Sequence, residues 1–216
     1  MSLLPHIAAI RKNYALQSLS ESSVAPEPVA QFNAWMEEAL ASEVDEPTAM
    51  VLSTVNGSGR PSARVVLLKA VTAEGFVFFT NYESRKGHDL QENPFAALTF
   101  FWPELERQVR VEGTVQKVDA AISDEYFHSR PVGSQIGAWA SPQSRPISSR
   151  EELEKADNAY TEQFADLEVI PRPAHWGGFI VAPETIEFWQ GRPNRLHDRI
   201  VYEKQGATWH LKRLAP

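Results

Sequence analysis

Cations and hydroxyls are unevenly spread along this acidic chain. Arg64 and Lys69 lie close together, Ser84-Arg85-Lys86 form a run, Arg130 precedes Ser134, and Arg195, His197 and Arg199 close the series. Guanidinium, ammonium and hydroxyl groups are the side chains that grip phosphate oxygens through charge-assisted hydrogen bonds. Arg85 and Lys86 also fall in the first turn of an expected helix, where free backbone N–H groups and the helix dipole favour an anion. Solvated surface charge is the commoner origin of any single basic pair. Arg64 and Lys69 are an odd number of residues apart, so a regular strand would point them to opposite faces. One pocket can hold both only across a bulge or a strand end. Residue types and spacing therefore stop at a binder of phosphate-bearing ligands.

Other chemistries find little to work with. The chain contains no G-x-G-x-x-G, no Walker loop, no H-E-x-x-H and no G-x-S-x-G, which removes the usual signs of nicotinamide binding, nucleotide hydrolysis, zinc peptidase and hydrolase chemistry. Its six histidines, His6, His88, His128, His175, His197 and His210, lack ligand spacing, and no metal is expected. The absence of cysteine excludes disulfides and thiol nucleophiles. With 21 Lys+Arg against 28 Asp+Glu, a formal net charge of -7 offers no general field to gather nucleic acid. No stretch approaches the roughly 20 apolar residues that cross a bilayer, so no membrane partner is expected. Pro5 and His6 interrupt the N-terminal apolar run before Arg11 and Lys12, and the chain reads as cytoplasmic.

The elements that must position these groups follow from periodicity. At 216 residues, with 43% hydrophobic and 23% charged, the chain fits one large globular domain, residues 1–216. Ile7, Ile10 and Tyr14 recur at helical spacing between His6 and Leu19, and a polar, proline-punctuated stretch follows to Pro28, so residues 1–28 read as a detachable helical arm. Val29 to Val44 carries an amphipathic helical pattern. Strands are expected at Ala49–Val55, Ala63–Val71, Phe76–Thr80, Phe95–Trp102 and Gln108–Lys117, the first three as a meander. Helices are expected at Ser84–Gln91, Ser123–His128 and Ser149–Leu167, the last with capping-box spacing between Ser149 and Glu152. Short strands around Gly178–Val181, Ile186–Gln190, Arg199–Glu203 and Trp209–Leu214 complete the chain. Many closely spaced strands with few crossover helices indicate a mainly β, α+β fold: an antiparallel barrel with peripheral helices.

The stretch Ile186 to Arg199, IEFWQGRPNRLHDR, resembles the C-terminal signature of the pyridoxine (pyridoxamine) 5'-phosphate oxidase family. The similarity extends through RVVLLK (Arg64 to Lys69), FFTNYESRKGHDL (Phe78 to Leu90), LERQVRVEG (Leu105 to Gly113), YFHSRPVGSQIGAWAS (Tyr126 to Ser141), PQSRPI (Pro142 to Ile147) and the closing RLAP. It covers nearly the whole chain, in the family's order.

That resemblance implies an FMN-binding split β-barrel and a homodimer with FMN in clefts between the subunits. It assigns Arg64, Arg85, Lys86 and Ser144 to the FMN phosphate side, and Phe79, Thr80, Gln108, Gln143, Trp189 and Arg199 to the rest of the cofactor. Lys69, Tyr126, Arg130 and Ser134 fall around the substrate phosphate. Arg195 and His197 fall at the reacting pyridine ring as catalytic residues, and Arg11 and Tyr14 match an Arg-x-x-Tyr that can cover bound substrate as a mobile lid. The implied reaction oxidises pyridoxine 5'-phosphate or pyridoxamine 5'-phosphate to pyridoxal 5'-phosphate, with molecular oxygen as acceptor, and Arg199 beside the ring would favour reduced flavin. Two departures stand out: Phe79 where Tyr is frequent, and Glu46 where Asp is common. Phenazine-pathway oxidases of the same fold and a non-catalytic flavin or pyridoxal-phosphate carrier are the rival readings.

Overall fold

The structure, a computed structural model, describes residues 7, 9, 10 and 12–216. Its helices are α1 (Pro28–Leu40), α2 (Arg85–Glu92), α3 (Ala120–Ser129), α4 (Val132–Ala140) and α5 (Arg150–Gln163). Its strands are β1 (Ala49–Val55), β2 (Pro61–Leu67), β3 (Ala70–Val71), β4 (Phe76–Asn81), β5 (Phe95–Trp102), β6 (Arg107–Lys117), β7 (Trp176–Gln190), β8 (Asp198–Gln205) and β9 (Thr208–Arg213). The hydrogen-bonded order is β2-β1-β5-β6-β7-β4-β3, with β8 on β7 and β9 on β8. Two compact units result: one takes residues 1–47, 99–111 and 185–216, the other 48–98 and 112–184, so β5, β6 and β7 each contribute to both.

The first unit is organised by aromatic packing. Pro28 starts α1, where its missing N–H costs nothing, and the helix buries Phe32, Trp35 and Ala39. Phe32 meets Phe100 with ring centroids 5.0 Å apart, and Trp35 stands edge-on to Phe188 at 5.2 Å. Each such side chain contributes roughly 1.5–3 kcal/mol on full burial. Antiparallel β7–β8 pairing sets Trp189 opposite Arg199, and β8–β9 pairing follows across the Gly206 turn.

In the second unit β1 and β2 form a hairpin whose turn is built by Asn56. Its side-chain carbonyl accepts from the amides of Ser58 and Arg60, while Gly59 takes a φ of +78°. Period-two alternation buries Met50, Leu52 and Thr54 along β1. A second cluster of Phe127, Ile136, Phe164, Ile170 and Trp176 packs beneath α3, α4 and α5.

Most expected elements form, and four readings are corrected. The helical arm is the first, over part of its length: Ile7 is helical, residues 1–6, 8 and 11 lie outside the described residues, and residues 12–27 contain no helix. Those residues are tied within the first unit instead. The Leu19 amide donates to Asp198 at 3.0 Å, the Tyr202 hydroxyl to the Ala25 carbonyl at 2.6 Å, and Arg213 to the Leu19 carbonyl at 3.0 Å. Arg213 also grips Glu21, whose carboxyl is drawn down to about 2 by that hydrogen bond. Second, the strand expected at Ala63–Val71 is broken into β2 and β3, so the meander runs from β1 to β2 and on through β3 to β4. Third, Gly178–Val181 and Ile186–Gln190 are one strand, β7, which continues through Pro183. Fourth, Glu152 reaches back to Ser148, by amide and hydroxyl, instead of Ser149. Helix α4 was not expected at all.

Candidate functional site

Strand β4 serves two groups of the second unit, because Phe79 and Thr80 are neighbours and face opposite ways. On the Thr80 side lies a cationic cradle. Ser84 caps α2, accepting from the Gly87 amide, and a Cβ on Gly87 would overlap the Tyr82 carbonyl, so glycine is required for this turn to close. The cap sets Lys86 in the first turn, with Nζ 2.8 Å from Gln143 Oε1, 3.1 Å from Thr80 Oγ1 and 3.3 Å from Ser84 Oγ. Arg64 projects from β2, donating to Thr54 Oγ1 at 2.8 Å and Ser62 Oγ at 2.6 Å, with Asp89 at 3.7 Å. Thr54 in turn donates to Asp89 at 2.6 Å.

Burial, and secondarily the nearby Arg64, press the Lys86 ammonium down to about 8. Burial likewise lowers Arg64, against the pull of Asp89. Asp89 offsets one of these two partly desolvated cations, so the pair keeps a net positive charge that favours a further anion. Arg85, Arg145, Gln143 and Ser144 line an adjoining surface hollow of about 430 Å³ together with Glu83, Asp89 and Glu92, and Ser144 adopts a φ of +71°. The donor set suits a phosphate.

On the Phe79 side three rings run nearly parallel. Phe79 stacks on Tyr126 at 4.0 Å and 21°, and Trp176 continues the series at 5.6 Å from Phe79. The Arg130 guanidinium lies 4.6 Å from the Trp176 ring centroid, and its Nη1 is buried without a hydrogen-bond partner. A buried charged donor left unmade costs more than the 1–3 kcal/mol of a neutral one. Burial lowers the Arg130 pKa, with Tyr126 acting the other way. Lys69, Phe79 and Tyr126 share a cavity of about 380 Å³ with Lys117 and Ile180. Lys69 lies beyond the end of β2 and lines this cavity without Arg64, so the two oddly spaced cations serve separate groups. Ser134 stands exposed in the first turn of α4, its amide taken by the Pro131 carbonyl at 2.8 Å.

The first unit gathers the remaining residues. Trp189 and His197 are 4.6 Å apart, and Tyr14 presents an edge to each, at 5.8 and 5.9 Å. The Arg192 amide donates to His197 Nδ1 at 3.0 Å, so the neutral ring carries its proton on Nε2. Burial, then the Arg195 charge, lowers the His197 pKa and favours that neutral form. Arg195 is exposed in a single 3-10 turn, Pro193–Arg195, at a φ of +61°. Gln108 is half-buried on β6. Arg199 forks onto Glu187, both contacts 2.9 Å, and Arg110 approaches the same carboxylate at 3.3 Å. That hydrogen bonding raises the Arg199 pKa. Arg11 lies outside the described residues.

Residue reasoning overlooked Glu187, Trp176 and the Thr54–Asp89 pair that orients Arg64. For Glu187 a signal existed: a carboxylate between Ile186 and Phe188 in an otherwise apolar strand has to find a cation. Asp89 gave none, since its partner stands on a distant strand. Among the described residues no three His, Asp or Glu side chains converge as metal ligands would, and no helix is long and apolar enough to cross a membrane.

Comparison with solved structures defines the class. The fold matches a pyridoxamine 5'-phosphate oxidase-related, FMN binding protein of Nostoc punctiforme, with a TM-score of 0.70 at 16% identity over 89% of this chain and 100% of that one. The expected architecture, mainly β, antiparallel and of split-barrel type with peripheral helices, is borne out. A second likeness is to PhzG from Burkholderia lata, solved with tetrahydrophenazine-1-carboxylic acid, at a TM-score of 0.87, 28% identity, 94% of this chain and 100% of that one.

Family models sharpen this. Residues 36–163 match the pyridoxamine 5'-phosphate oxidase model, and 176–216 match the pyridoxine 5'-phosphate oxidase C-terminal dimerisation region. Relatives called pyridoxine/pyridoxamine 5'-phosphate oxidase include one from Burkholderia multivorans, 57% identical over 97% of this chain and 99% of the relative. Another, from Salinibacter ruber, is 54% identical over the same shares. The chain belongs to the pyridoxine/pyridoxamine 5'-phosphate oxidase family.

Proposed function

We propose that the protein is a cytoplasmic homodimer that uses FMN to oxidise pyridoxine 5'-phosphate and pyridoxamine 5'-phosphate to pyridoxal 5'-phosphate. The balance is alcohol and oxygen to aldehyde and hydrogen peroxide; the amine also consumes water and releases ammonia. The observation that carries the reading is the buried, unpartnered Nη1 of Arg130 beside the Tyr126–Phe79–Trp176 rings, a grouping that suits an anion attached to a flat ring. Bound FMN supplies the hydride acceptor that no side chain offers.

The chain's own residues then bind and orient. Lys86 and Arg64, held by Thr80, Ser84, Thr54 and Asp89, grip the FMN phosphate, with Arg85 and Ser144 at its open side. Arg130, with Lys69 and Ser134, takes the substrate phosphate. Trp189, Gln108, Gln143 and Arg199 contact the flavin. Neutral His197 donates from Nε2 to the polar edge of the pyridine, and exposed Arg195 closes over the ring from its turn. Tyr14 completes the cover on the Trp189–His197 side.

The PhzG likeness supports a second reading, an oxidase of a reduced phenazine acid. A phosphate handle would then be idle. The test is peroxide production by the purified yellow protein with pyridoxine 5'-phosphate, pyridoxamine 5'-phosphate, the unphosphorylated vitamers and a dihydrophenazine carboxylate. Turnover of the phosphorylated vitamers alone supports the proposal. Turnover of the phenazine alone replaces it, and flavin binding with no peroxide leaves a carrier.

A further inference from the structure

Glu106 is a buried carboxylate, 3% exposed, that no role proposed above uses. It sits in the short β5–β6 connection with a φ of +54°, a left-handed backbone that a side chain with a Cβ adopts only at a cost. Its backbone carbonyl accepts from the Gly191 amide at 2.7 Å, which fixes the turn. The side chain points at the N-terminal segment, and one oxygen, Oε2, accepts from the Ala15 amide at 2.8 Å and the Leu16 amide at 3.0 Å. Those are the two residues after Tyr14.

The surroundings reinforce this clamp. Lys12 Nζ donates to the Pro103 carbonyl at 3.1 Å, and buried Arg107, next to Glu106, reaches Gln17 Oε1 at 2.8 Å. A Cβ on Gly191 would approach Tyr14 to 2.8 Å and Glu106 to 3.0 Å, so glycine is what lets the tyrosine settle beside the clamp. Two charge-assisted bonds to consecutive amides also fit a segment that is not helical: a continuing helix would need the same N–H groups for its own carbonyls.

We infer that Glu106 is a positioning residue, a clasp that holds the N-terminal segment in its non-helical path and so fixes Tyr14 against the Trp189–His197 pair. The inference rests on the reading of that pair as part of the substrate site. It goes beyond the cover role of Tyr14 by naming the group that sets its geometry.

The experiment uses the FMN-loaded full chain. Glu106→Ala removes the acceptor, and Ala15→Pro deletes one donor from an exposed position without disturbing the core, so one variant stands if the other misfolds. Trypsin cleavage after Lys12 should accelerate about tenfold or more in each, because losing even one bond to a charged group is worth roughly that factor. In the double variant the two effects should fall short of multiplying. KM for the phosphorylated substrate should rise with kcat less affected, FMN retention unchanged, and Glu106→Gln, which keeps an acceptor oxygen, should lie between. Unchanged proteolysis in both variants overturns the clasp. Faster proteolysis with unchanged KM, while Tyr14→Ala itself raises KM, overturns the positioning role. Faster proteolysis with Tyr14→Ala also silent supports the clasp and removes the substrate-cover reading instead.

Discussion

Lys86 offers the sharpest test of the cofactor cradle, because its charge can be titrated without mutating anything. With its pKa held down to about 8, Lys86 is largely an ammonium at pH 7 and largely neutral at pH 9. A phosphate dianion, fully formed above a second pKa of about 6, requires the ammonium. The sign follows from linkage. Binding raises the Lys86 pKa, so below pH 8 affinity is flat, whereas above it each binding event takes up a proton and affinity falls tenfold per pH unit. Between pH 7 and pH 9 the dissociation constant of FMN should rise about tenfold, equivalent to about 1.4 kcal/mol. Flavin fluorescence quenching on titration of the apoprotein, at fixed ionic strength, measures it. Riboflavin, lacking the phosphate, should bind weakly with no slope. Lys86→Gln should lose about ten- to a hundredfold in FMN affinity at pH 7 and show a flat profile. A flat wild-type profile, or the same slope surviving in Lys86→Gln, refutes the reasoning.

Two further outcomes are expected. Arg130→Ala should weaken the phosphorylated substrate by about ten- to a hundredfold, read as KM, while the flavin absorbance of the purified protein is retained; equal loss of both moves Arg130 to the cofactor. Glu187→Gln strips the carboxylate from Arg199 and Arg110 and should cost about 2 kcal/mol in a urea unfolding midpoint, below the 3–5 kcal/mol of a fully buried pair because both guanidiniums keep some water. A shift under 0.5 kcal/mol, the scale of ordinary surface substitutions, would mean that the pair is solvated in solution.

How far the sequence alone reached depended on whether a signal was local. β1 and β5 lie where their β-branched and aromatic runs put them, and the helix expected from Ser84 to Gln91 forms one residue on, with Ser84 as its cap. Over residues 12–19 the helical spacing misled, because the bonds that decide the conformation there come from Glu106, Asp198 and Arg213, about 90 to 195 residues away. Helix α4 escaped for a similar reason. Its Gly133 and Gly137 weaken the local signal, and Ile136 and Ala138 earn their helix by packing in the cluster around Phe127 and Trp176. From residue types the cations of the site were legible only as an enrichment, and their partition into the Lys86 cradle and the Arg130 ring site came from the family resemblance alone. It depends on adjacent residues of β4 facing opposite ways.

Glu187 changes what Arg199 can do. As a lone cation it would favour a reduced, negatively charged ring simply by charge. Forked onto a carboxylate at 2.9 Å by two nitrogens, with its third donating to the Ala215 carbonyl at 2.9 Å, it presents instead a guanidinium of fixed orientation. Arg110 shares the same carboxylate, so two guanidiniums and one carboxylate leave one positive charge on the group. Such an arrangement needs little reorganisation when negative charge develops nearby, which is the property that makes preorganised donors effective. The carboxylate is held by β7 two residues before Trp189, and Arg199 faces Trp189 across the β7–β8 ladder. Strand geometry alone therefore sets Trp189, Glu187 and Arg199 on one face. The pairing that looks like a loss of charge is what aims the guanidinium.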